Sequence, residues 1–169
     1  MKSVVKFIDS LNLWTGKIIR VLAVGLVLIM TLEVTMRYVF NRPTMWGYET
    51  AIMAGAAMYA LAWGYVHRQN AHIRVDLIYS RLSARGKALI DFLCTIFLFI
   101  PLIGFLTWMA FNWMVRAWKI GEKSVETYWY PPIAPLRTAV FIGLLLFGLQ
   151  GIAQLIRDVY LLVRNRKYD

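Results

Sequence analysis

The sequence predicts an all-α integral membrane protein: four transmembrane helices, a short amphipathic interfacial helix in the cytoplasmic loop, and both termini in the cytoplasm. Three observations predict it. Of the 169 residues, 60% are hydrophobic and 17% charged, where soluble domains run to about 45–50% and about 25%. The apolar residues gather in four segments, each near the ~20 residues that a bilayer crossing needs. The 19 Lys and Arg, which bring the formal net charge to +10, lie outside the apolar centres of those segments, where they suit anionic phospholipid and fix orientation rather than bind nucleic acid. The whole chain, 1–169, reads as one membrane domain with no room for a soluble catalytic domain.

The first span covers about 18–38, unbroken from Val21 to Leu32, with Arg20 at one end and Glu33 and Arg37 at the other. Lys2 and Lys6 ahead of a short apolar stretch also fit a signal peptide, but no A-x-A-like cleavage site follows, so the span is read as retained. The second span, about 46–66, is rich in small residues. Gly47, Ala51 and Gly55 form one i, i+4 stripe and Ala56, Ala60 and Gly64 another, and such stripes let helices approach closely. The third, about 91–115, is free of charge from Phe92 to Val115; Pro101 within it should kink the helix unless neighbours re-satisfy the freed carbonyl. The fourth covers about 138–156, bounded by Arg137 and Arg157.

Charge sets the orientation. The N-terminal segment, second loop and C-terminal tail carry 13 Lys and Arg, the first and third loops six, which places the termini inside. Within the second loop Val75, Ile78, Tyr79 and Leu82 follow i, i+3, i+4, i+7, flanked by Arg74, Arg81 and Arg85. That pattern predicts an interfacial helix over about 73–87, anchored on anionic lipid or bracing a partner subunit.

Charge inside a membrane segment is a functional hypothesis by default. Glu33 and Arg37 have the favoured i, i+4 order and Glu49 opens the next span at a similar depth, so a structural cluster is expected with Arg37 bridging to Glu33 or Glu49. The rival reading is an autonomous small exporter in which Glu33 or Glu49 couples transport to protons. His67 and His72 sit too close together at one end of a span to hold a haem between helices, and only Asp76 is near enough to join them on a metal. The lone Cys94 excludes an intramolecular disulfide or CxxC centre. No phosphate loop, nucleophile elbow or HExxH motif occurs, so neither an enzyme nor a cofactor is expected. An autonomous transporter also usually shows repeats and broken helices around a polar midplane site, and Pro101 is a single interruption.

The run Arg37-Tyr38-Val39-Phe40-Asn41-Arg42-Pro43, then Trp46 and Glu49, then His72-Ile73-Arg74-Val75-Asp76, with Trp118, Gly121 and Ser124 later, resembles the small membrane subunit (DctQ-like) of tripartite ATP-independent periplasmic (TRAP) transporters. The resemblance implies a secondary, sodium-coupled importer of an organic acid in a bacterial or archaeal inner membrane. It implies two protein partners, a large DctM-like membrane subunit that carries substrate and sodium by an elevator-like movement, and a periplasmic substrate-binding protein. Assembly as one small plus one large subunit and as a dimer of such heterodimers both fit. Since the family's substrate and sodium sites lie in the large subunit, none is carried over. Asn41 and Trp46 would lie at the periplasmic end, in reach of the large subunit or the binding protein. The third loop, Tyr130-Pro131-Pro132-Ile133-Ala134-Pro135, departs from the family's commoner single proline, yet Trp129 and Tyr130 make it a second candidate contact.

Overall fold

The computed structural model describes residues 2–69 and 82–164. Helix α1 runs Lys2–Tyr38, α2 Gly47–Arg68, α3 Ala84–Cys94, α4 Ile100–Ile120 and α5 Ala134–Arg164, and a π-helical turn, Thr95–Phe99, joins α3 to α4 as one rod. Among the described residues there is no strand, only an isolated antiparallel bridge between Lys123 and Pro132.

α1 begins well before the expected start of the first span at residue 18. Its first half is amphipathic: Val5, Ile8, Asn12 and Gly16 recur at i, i+3, i+7 and i+11 and are buried, while Lys6, Ser10 and Lys17 are exposed. Val5 and Ile8 pack on Ala153, Leu149 and Ile156 of α5. The charged residues 6, 9 and 17, which lower the hydropathy of this stretch, lie off that stripe.

α2 packs against both α1 and α5, and α5 packs in turn against the α3–α4 rod. Asp9, Arg68 and Arg157 meet at one end and Glu49 and Thr127 at the other, so successive long helices run antiparallel. Three stretches are long and apolar enough to cross a membrane: Ser3–Tyr38, Arg85–Ile120 and Ala134–Arg164. The second expected span, α2, is not among them. Its 22 residues reach about 33 Å, enough for a hydrocarbon core of about 30 Å, but its composition is mild because Ala51, Ala60 and Gly64 are buried against protein.

Pro101 does not break the rod. It has no N–H to give and its ring crowds the carbonyl one turn back; the π turn widens the helix there, and the Ile100 N–H bonds the Thr95 carbonyl instead. In the second loop the expected interfacial helix lies outside the described residues from 73 to 81, which include Arg74 and Arg81. Its expected last turn, 84–87, belongs to α3. Ser83 is extended at φ −62° and ψ 162° and caps that helix, its hydroxyl accepting the Gly86 N–H at 3.2 Å, so Arg85 is an exposed residue in the first turn of the rod.

Candidate functional site

Two polar clusters fix the ends of the bundle. At the end bearing the 39–46 and 121–133 loops, Glu33 of α1 is only 6% exposed. Its Oε1 accepts from Arg37 Nη2 at 2.6 Å and Nε at 3.2 Å. Its Oε2 accepts the Thr44 N–H at 3.2 Å and the Thr44 hydroxyl. The same hydroxyl oxygen accepts the Gly47 N–H at 3.1 Å. A carboxylate from α1 therefore faces the first turn of α2, where free N–H groups and the helix dipole favour negative charge. Gly47 leaves room for this contact, since a Cβ there would stand 2.6 Å from Glu33 Oε2 and push the carboxylate away.

Glu49, 3% exposed, takes a different partner. It accepts the Thr127 hydroxyl, and the Thr127 oxygen accepts the Trp129 N–H at 3.3 Å. Of the two acids considered for Arg37, Glu33 takes it, and Glu49 instead pins the loop between α4 and α5. That loop is tied down along its length. Gly121 closes α4 in the left-handed conformation at φ 61°, which suits glycine. Ser124 N–H bonds the Pro131 carbonyl at 2.8 Å and Ile133 N–H the Glu122 carbonyl at 3.0 Å. Glu122 pairs with Arg137 at 2.6 Å, and Trp118 Nε1 donates to Thr138 at 3.0 Å. Pro135 sits in the first turn of α5, where its missing N–H costs nothing.

The candidate docking residues gather at this end. Asn41, Trp46, Trp129 and Tyr130 are all exposed, and Asn41 and Tyr130 both hold φ near 50°, an unusual conformation for a bulky tyrosine. The small residues divide. Ala51, Ala60 and Gly64 are buried inside the chain, whereas Ala56 is exposed. A Cβ on Gly143 of α5 would run into the Ala60 carbonyl, and one on Gly64 into Asn12 and the Leu146 backbone. Gly55 is looser, with Leu26 of α1 4.0 Å from its would-be Cβ. Overpacking Ala60 would therefore disturb this chain's own α2–α5 contact before any contact with a partner.

At the opposite end lies a cluster that sequence reasoning missed. Asp9 of α1 accepts Arg157 Nη2 at 2.5 Å and Gln150 Nε2 at 3.0 Å, both from α5, and stands 3.6 Å from Arg68 Nε of α2. Asn12 Nδ2 donates to Gln150 Oε1 at 2.7 Å and to the Ile8 carbonyl at 3.2 Å. Asn12 and Gln150 are fully buried. The available signal was a polar residue on each of two otherwise apolar helix faces. His67 stacks on Phe99 at 5.5 Å and meets Phe147 edge-on at 5.3 Å, a packing role. Among the described residues no group of His, Cys, Asp and Glu could hold a metal, and His72 lies outside them.

This geometry can fix helices against one another and present a rigid loop surface. A family model for tripartite ATP-independent periplasmic transporters, DctQ component, matches residues 26–160. No match is found to an individually curated protein.

Proposed function

The chain belongs to the DctQ components of TRAP transporters, multi-pass inner-membrane proteins that work with a large TRAP subunit and a periplasmic binding protein; from that premise we propose that it is the non-catalytic scaffold of a sodium-coupled organic-acid importer. On this reading it crosses the membrane four times, α2 included, with both termini inside, holds the large subunit in place and helps the binding protein dock. Its loops at 39–46 and 121–133 then face the periplasm.

One observation carries the scaffold reading. Only 6% of the apolar window in α1, and 6% of that in the α3–α4 rod, is buried within the chain, against 33% in α5. Both flanks of the bundle are left for lipid and a partner, while its ends are tied by ion pairs and α2 and α5 meet through close glycine contacts. Elevator transport needs such a part, because one body must stay fixed while another moves. The acids that a proton-coupled exporter would use are engaged in structure: Glu33 with Arg37 and Thr44, Glu49 with Thr127.

Two outcomes are expected in proteoliposomes. The chain alone moves neither protons nor organic acids, and Glu33→Gln and Glu49→Gln change nothing in that assay, whereas the small and large subunits with the binding protein take up substrate only with an inward sodium gradient. Proton flux through the isolated chain that is lost in Glu49→Gln would establish the exporter instead. Orientation is read in cells carrying Cys94→Ser with a single new cysteine. A membrane-impermeant thiol reagent should label position 125 and spare position 17, and the reverse pattern would invert the topology.

A further inference from the structure

The outer surface is far more basic than its sequence. Around the 39–46 and 121–133 loops the acids are drawn inward: Glu33 and Glu49 are buried and Glu122 is half-buried against Arg137, leaving Glu126 as the exposed acid. Arg42, Arg116, Lys119 and Lys123 remain exposed, and among the described residues no ion pair holds any of them. Arg42 and Lys123 belong to different loops, yet both loops are anchored on the first turn of α2, one through Thr44 to Glu33 and Gly47, the other through Thr127 to Glu49. The cations are interleaved with exposed apolar and aromatic side chains, Phe40, Val125 and Tyr128, the last two more than 80% exposed. Aromatic residues beside arginine, on a backbone fixed in advance, have the composition of a protein contact, and unpaired charge around them steers a partner of opposite sign.

We propose that this surface docks an acidic face of the periplasmic binding protein, with Arg42, Lys119 and Lys123 supplying the attraction and the tied-down 121–133 loop the fixed shape. The proposal rests on the docking role given above. Because both anchoring acids face inward, the patch keeps its positive sign only while the two loops stay pinned to α2.

The test is binding of the system's binding protein to the small–large complex in phosphatidylcholine nanodiscs, at 50 and 300 mM NaCl. Exposed charges a Debye length apart are screened over that range, so affinity should fall roughly tenfold. The double variant Arg42→Glu, Lys123→Glu should bind roughly tenfold more weakly at low salt, with the same thermal midpoint and small–large association as the parent. Salt-independent binding that the double variant retains would overturn the acidic-face assignment while leaving the docking role intact. No binding by the parent complex at either salt would overturn the docking role itself. A variant unaltered towards the binding protein but weakened on phosphatidylglycerol vesicles would reassign the patch to lipid and overturn the proposal.

Discussion

Asp9→Ala is expected to lower the unfolding free energy of the purified chain by about 2–4 kcal/mol. Asp9 takes both Arg157 at 2.5 Å and Arg68 at 3.6 Å, and it also accepts from Gln150. Removing it takes the carboxylate away from both guanidinium groups, and Arg157 keeps only a long contact to Gln154 Oε1 at 3.5 Å among its hydrogen bonds to described residues. Breaking a fully buried pair costs about 3–5 kcal/mol; the side chains here are 17–29% exposed, so water recovers part of that loss. Asp9→Asn keeps an acceptor for Gln150 and should lose about half as much. The check is the thermal midpoint in one detergent, with Asp9→Ala lowest, Asp9→Asn between it and the parent. An unchanged midpoint for Asp9→Ala would mean that this cluster does not hold α1 to α5.

Gly143→Leu should disrupt the chain at least as strongly, by steric means. A Cβ at 143 would overlap the Ala60 carbonyl carbon and oxygen, and backbone cannot swing aside as a flexible side chain can, so α2 and α5 must separate. Overpacking costs typically about 1–3 kcal/mol, more where nothing yields, and here the separation would also disturb the neighbouring Gly64–Asn12 contact. Gly25→Leu is the matching control, because nothing lies within 4 Å of a Cβ there. It should leave the midpoint of the isolated chain in place. If Gly143→Leu and Gly25→Leu behave alike, the close α2–α5 approach is absent from the folded protein.

Three of the four expected spans were legible as helices long and apolar enough to cross a membrane, because hydropathy reports burial in lipid and in protein alike; the remaining one, α2, is helical but too mild in composition to be among them. The Glu33–Arg37 pair was legible because it is local, four residues apart on one helix. Glu49 stands at the same end of the bundle as Glu33, but its partner was not legible, since Thr127 lies 78 residues on and its hydroxyl has no sequence signature. The Asp9–Arg157 pair spans 148 residues, and in the sequence Arg157 shows itself only as a boundary of the last span. Small residues announced close packing in α2 without saying on which side. The structure separates Ala51, Ala60 and Gly64, buried inside the chain, from the exposed Ala56, a division that no periodicity carries when every neighbour of a membrane helix is apolar. The length of α1 was hidden for the opposite reason: its first turns carry charge on one side and a buried stripe on the other, which lowers mean hydropathy without breaking the helix.

The scaffold reading is tested most directly by what stays bound to the tagged chain when it is purified from its native membranes in a mild detergent and resolved by mass spectrometry. The account predicts a much larger polytopic membrane protein in near-equal amount, retained by the parent and by Gly25→Ala. Recovery of the chain alone as a small oligomer that moves protons after reconstitution would contradict it.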